Sequence, residues 1–170
     1  MKTELIYLSQ SGNTEKLFYG IASQMKQETH LVNLDEAEPS NDSDLYIIGF
    51  GINSGTVPLK IMDILEDLNE KDFALIITCG LEATDEYKSS IERKLTPFFN
   101  DNCRYHSILL CQGEFPLAIQ HIAEEKAKSE PDHPYAQKVL NDAKISNSHP
   151  NDEDIQSAID FIEQIQIKKF

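Results

Sequence analysis

"LIYLSQSGNTEKLFYGIA" spans residues 5–22. An apolar run from Leu5 to Leu8 meets Ser9, Gln10, Ser11, Gly12, Asn13 and Thr14, and an apolar pattern at helical spacing follows in Leu17, Phe18, Ile21 and Ala22. This is the pattern of a strand that turns directly into a helix. Such a turn exposes the first N–H groups of the helix, which have no intrahelical acceptor and carry partial positive charge. Small residues let these amides converge on an anion, and Ser9, Ser11 and Thr14 add hydroxyl donors. Gly12 removes a side chain where the backbone must come closest, and Asn13 suits a left-handed conformation or a hydrogen bond back across the turn. Taken alone, the same residues also suit a plain N-cap leading into Glu15.

What the turn lacks narrows its chemistry. There is no lysine or arginine in it, so it is not a Gly-Lys-Ser/Thr nucleotide loop. A dinucleotide fingerprint needs three glycines at set spacing, and the turn holds only Gly12. A phosphatase loop needs a Cys nucleophile and an Arg, and a phospho-receiver needs acidic residues after its first strand; neither set is present.

Outward from this turn, short apolar runs alternate with helical patterns. Strands are predicted at Thr3 to Leu8, His30 to Leu34, Leu45 to Phe50, Phe73 to Cys79 and Tyr105 to Gln112. Their near-continuous apolar composition fits a parallel sheet covered on both faces. Leu17, Phe18, Ile21, Ala22 and Met25 mark the first helix, and Ile61, Met62, Ile64, Leu65 and Leu68 the second. Further helices are predicted at 86–99, 116–128 and 134–144. The last is opened by Asn151 or Asp152 and buries Ile155, Ala158, Ile159, Ile162 and Ile165, so "NDED" reads as a helix cap. The alternation implies an α/β doubly wound five-stranded sheet. Ligands of such sheets bind beyond the carboxyl ends of the strands, which points to residues 9–14, 51–58, 79–87 and 112–116.

Composition bounds the partners. The chain has 170 residues, 40% hydrophobic, with net charge −14 and a pI near 4.6. One domain over residues 1–170 is expected. The charge disfavours nucleic acid and anionic lipid surfaces and favours a basic protein partner. Cys79, Cys103 and Cys111 are odd in number and without paired spacing, as expected of reduced thiols in a cytoplasmic protein. No signal peptide is expected, and no apolar run has the length of a membrane span, so no membrane insertion is expected. The five histidines have no ligand spacing.

"SQSGNT" resembles the phosphate loop of the flavodoxin family, usually Thr/Ser-x-Thr/Ser-Gly-Asn-Thr, at every motif position. The similarity extends through "DLYIIGFGINSGTVPLKIMDIL" (44–65), "CQGEFP" (111–116) and "HPNDEDIQSAIDFI" (149–162), the last two as in a short bacterial flavodoxin-like subgroup. The resemblance implies strand order 2-1-3-4-5 with helices on both faces, and one non-covalent FMN. It also implies electron transfer between redox partner proteins, a reductase and an acceptor, with no catalytic side chain. Ser9, Gln10, Ser11, Gly12, Asn13 and Thr14 would hold the phosphate. Gly51, Ile52, Asn53, Ser54 and Gly55 would run along one face of the isoalloxazine ring. Thr78, Cys79 and Gly80 would present amides to the pyrimidine carbonyls, and Gln112 and Gly113 would line the dimethylbenzene side. Relatives often carry an aromatic residue near Asn53; this chain has none between Phe50 and Phe73, and Tyr87 is the candidate to stack instead. The rival readings are an FMN-dependent oxidoreductase acting on a small molecule such as a quinone or tetrapyrrole, and a fold relative that lost the flavin.

Overall fold

The computed structural model describes residues 1–52 and 55–168. Strands β1 (Thr3–Leu8), β2 (Thr29–Asn33), β3 (Leu45–Ile52), β4 (Asp72–Cys79) and β5 (Arg104–Gln112) form one parallel sheet in the order β2-β1-β3-β4-β5. This is the order implied by the resemblance. The central strands β1, β3 and β4 are buried along nearly their whole length, the physical reason for their unbroken apolar composition. In β1, Leu5 lies between Leu31 of β2 and Ile47 of β3.

Six α-helices lie among the described residues: α1 (Asn13–Gln24), α2 (Leu59–Asp67), α3 (Asp85–Leu95), α4 (Leu117–Ser129), α5 (Pro134–Ser146) and α6 (Asp152–Lys168). On one face of the sheet, Ile61 and Leu65 of α2 and Ile91 and Leu95 of α3 pack with Ile48, Phe50, Leu75 and Ile77. On the other, Leu17, Phe18 and Ile21 of α1 and Ile155, Ile159 and Ile162 of α6 pack with Leu5, Ile47 and Ile76. Each such fully buried aliphatic side chain contributes about 1.5–3 kcal/mol. Close approach sets this second layer: a Cβ on Gly49 would lie 2.1 Å from the Phe18 ring, and one on Gly20 would lie 2.4 Å from Ile155 Cδ1.

Asn151 caps α6, its Oδ1 accepting from the N–H groups of Glu153 at 2.9 Å and Asp154 at 3.2 Å. The helix predicted at 86–99 instead ends at Leu95 and tightens into a 3₁₀ turn over Thr96–Phe98. Pro97 has no N–H to continue the α-helical ladder. Between β5 and α6, helices α4 and α5 pack on each other around Ala123, Ala136 and Val139, a cluster separate from the two that flank the sheet.

Candidate functional site

The β1–α1 turn ends in Gly12, whose φ of 87° and ψ of −11° lie in the left-handed region. A Cβ there costs about 1–2 kcal/mol. Space does not demand the glycine, because nothing lies within 4 Å of where its Cβ would be. Gly12 is thus the left-handed residue, and Asn13 begins the helix. Ser9 Oγ accepts from the N–H groups of Gly12 at 3.1 Å and Glu15 at 3.2 Å. It ties the turn together and engages none of the Ser11, Asn13 and Thr14 amides.

Asn13 joins this turn to the end of β5. Its Nδ2 donates to the Glu114 carbonyl at 3.0 Å, and its Oδ1 accepts from the Glu114 N–H at 3.2 Å. Gly113 leaves room for that pairing, since a Cβ would lie 2.7 Å from Asn13 Nδ2. Thr14 turns inward, its hydroxyl 2.8 Å from that of Thr78, and the two side chains are 1% and 3% exposed. Two hydroxyls that share one hydrogen bond leave one O–H without an acceptor inside the pair.

These loops enclose a cleft of about 430 Å³ beyond the carboxyl ends of the strands. Of the residues expected from sequence, Gln10, Ser11, Asn13, Thr14, Gly51, Ile52, Gly55, Thr78, Cys79, Gly80 and Tyr87 line it together. Ser9 and Gly12 shape the turn without lining the cleft, and Gln112 and Gly113 are outside its lining as well. Gly113 instead packs against Asn13, and the Gln112 Nε2 is buried without a hydrogen-bond partner among the described residues. Asn53 and Ser54 lie outside the described residues. Tyr87 sits in the first turn of α3, its N–H donating to the N-cap Thr84 Oγ1 at 3.1 Å, and burial raises its phenol pKa.

Glu114, Phe115 and Pro116, within the stretch 112–116 to which the strand-end rule points, also line the cleft. Sequence reading missed its helical side: Ile119 of α4, and Tyr135, Lys138, Val139 and Asp142 of α5. The α5 residues fall at i, i+3, i+4 and i+7, which places them on one helix face. That spacing was the available signal, although it looks like an ordinary core stripe. Phe115 rests on Gly80, where a Cβ would lie 2.8 Å from the ring.

The cleft holds no activated nucleophile among its described residues. Burial pushes the Cys79 thiol up to about 12, so it stays protonated near neutral pH. Its Sγ donates weakly to the carbonyls of Leu81 at 3.4 Å and Cys111 at 3.7 Å. The charged side chains lining the cleft are Lys138 and the carboxylates Glu114 and Asp142.

A doubly wound sheet with its cleft at the carboxyl edge, entered through a small-residue turn after β1, defines a flavodoxin-like protein. A model described as a flavodoxin domain matches residues 4–163, and the chain belongs to that family. The chain is 26% identical over 172 residues to the flavodoxin-like domain-containing protein BilS of Clostridioides difficile (strain CD3), covering 99% of this chain and 98% of that protein. The Streptococcus pneumoniae TIGR4 flavodoxin shares the fold with a TM-score of 0.50 at 15% identity, covering 85% of this chain and 96% of that one. A flavoprotein of Lactobacillus acidophilus NCFM, solved in complex with FMN, is similar with a TM-score of 0.49 at 19% identity, covering 64% of this chain and 92% of that one.

Proposed function

We propose that this cleft binds one FMN non-covalently and that the protein carries electrons between a reductase and an acceptor protein. One observation carries the reading: a lysine-free turn with a left-handed Gly12 opens onto a cleft of about 430 Å³ lined by the three other loops of the same sheet edge. That volume falls in the ordinary range of small-ligand sites. The residues fit the group. The Ser11, Asn13 and Thr14 amides would meet the phosphate, with the spare O–H of the Thr14–Thr78 pair as a further donor. Gly51, Ile52 and Gly55 on one side, and Cys79 and Gly80 on the other, would hold the ring. Tyr87 and Phe115 are the aromatic residues of the sheet-edge loops available to flank it. Bound FMN supplies the one- and two-electron chemistry, and the protein supplies binding, orientation and electrostatics.

Glu82 and Glu114 on the loops around the cleft, and Asp85 and Glu86 in the first turn of α3, are exposed, which favours a basic redox partner. Among the described residues no helix is long and apolar enough to cross a membrane. Free cysteines support a cytoplasmic setting.

The second reading, an FMN-dependent oxidoreductase for a small molecule, gains from the α5 face that extends the cleft beyond the loops. Two measurements separate the readings. As a carrier, the dithionite-reduced, FMN-loaded protein reduces a basic protein acceptor such as cytochrome c, at a rate that falls as salt is added. Steady-state NAD(P)H oxidation with a quinone by the purified protein alone would overturn the carrier reading in favour of the enzyme.

A further inference from the structure

The α5 face stands apart from the loops assigned to the cofactor, yet it is anchored to them. Glu114, at the entry to α4, is tied to Asn13 by two hydrogen bonds, and Phe115 is seated on Gly80. Phe115 also packs against the α4–α5 cluster of Ala123, Ala136 and Val139. A continuous chain of contacts therefore runs from the proposed phosphate turn to the helix that carries Lys138.

Lys138 is the one cationic side chain lining the cleft among the described residues. Its Nζ donates to Asp142 Oδ2 at 2.9 Å, one helical turn along α5. The two partners differ sharply in environment: the Lys138 side chain is 66% exposed and that of Asp142 is 10% exposed. A surface i,i+4 pair stabilises a helix by only a few tenths of a kcal/mol, whereas burying a carboxylate is costly. Helix stability alone is a poor reason for this arrangement. The pair has no net charge, but the buried carboxylate fixes the more exposed ammonium, so its positive end is the one held at the cleft.

Resting on the FMN reading above, we infer that Lys138, positioned by Asp142, sets the charge facing the flavin ring and favours its anionic reduced form. Uptake of two electrons and one proton leaves the ring with one negative charge; uptake of a second proton leaves it neutral. A cation in the cleft stabilises the first of these and raises the potential of the second one-electron step. Charge near the ring is one of the means by which a protein tunes a flavin. The residues of the phosphate turn and of the loops proposed to hold the ring carry no cationic side chain; besides Lys138, the Lys94 ammonium of α3 lies beside Gly55, where a Cβ would be 3.1 Å from its Nζ.

The test uses the full chain loaded with FMN and titrated with dithionite to obtain both one-electron midpoint potentials. Lys138→Met removes the ammonium and uncovers Asp142, and the second midpoint is expected to fall by a tenfold change in equilibrium, about 59 mV. Asp142→Asn keeps the shape and frees the ammonium, and the same midpoint is expected to rise. Lys138→Arg keeps the charge and leaves the potential near that of the parent. Opposite shifts in the two neutralising variants are a signature that a purely structural pair does not give. Affinities for FMN and riboflavin are measured beside the potentials. Unchanged potentials, or shifts in the same direction, overturn the inference. So does a Lys138→Met variant that loses FMN affinity, keeps riboflavin affinity and keeps both potentials, since the lysine would then serve the phosphate. A parent protein that takes up neither FMN nor riboflavin removes the FMN reading and this inference with it, a result distinct from the others.

Discussion

Replacing Thr14 and Thr78 by valine, singly and together, separates the stability of the turn from its capacity to bind. Their hydroxyls lie 2.8 Å apart and the residues are 1% and 3% exposed, so water only partly replaces a lost partner. Valine matches threonine in shape and leaves no cavity; the cost of either single change is the desolvated hydroxyl left behind, about 1–3 kcal/mol. Replacing both partners by apolar groups of the same shape is close to neutral. The double-mutant cycle should therefore show a coupling of about 1–3 kcal/mol, with the double variant more stable than either single one. With a urea slope of about 2 kcal/mol per molar, a single change of about 2 kcal/mol moves the unfolding midpoint by about 1 M. Circular dichroism of the flavin-free chain reads this directly. FMN affinity behaves differently: the double variant recovers stability but not binding, because the spare O–H is gone. Additive single costs would refute the paired-hydroxyl geometry, and recovered FMN binding would remove the pair from the phosphate site.

Other outcomes follow from the same geometry. Gly12→Ala, at φ 87° with open space around the new methyl, should cost about 1–2 kcal/mol in urea unfolding from backbone strain alone, and Gly12→Asn less. Ser11→Asp, at an exposed position, should change stability by under about 0.5 kcal/mol yet weaken FMN binding about 100-fold, as measured by flavin fluorescence. Burial raises the Cys79 and Cys111 thiols from an ordinary 9.0 to about 12, so the folded state holds these protons more tightly than the unfolded chain. Their contribution to stability is complete below pH 9 and is lost between pH 9 and 12, and Cys79→Ala with Cys111→Ala should flatten that alkaline fall in urea midpoint.

The sheet was legible because a strand buried on both faces has almost no choice of composition. "LYIIGF" and "FALIITC" are buried throughout, and all five strands lie within two residues of their predicted limits. Helix ends were harder, as α3 shows: periodicity continues past Leu95, but Pro97 stops the α-helical ladder. The turn could be read as a site because small polar residues crowd together immediately after a buried strand. Only coordinates distinguish Ser9, which ties the turn, from Ser11, which lines the cleft. Gln112 and Gly113 occupy the expected strand end, but the space beside Gly113 is filled by Asn13. The α5 face was hidden for a different reason. Tyr135, Lys138, Val139 and Asp142 lie more than twenty residues beyond the end of β5, and the packing of α5 on α4 brings them to the cleft.

The most direct test of the central claim is a parallel titration of the purified, flavin-free chain with FMN and with riboflavin, followed by flavin fluorescence. The two ligands share the ring and differ in the phosphate. A cradle of amides and hydroxyls predicts one FMN per chain and riboflavin bound at least about 100-fold more weakly, the worth of charge-assisted hydrogen bonds to a dianion. Equal affinity for the two, or no uptake of FMN, would contradict it.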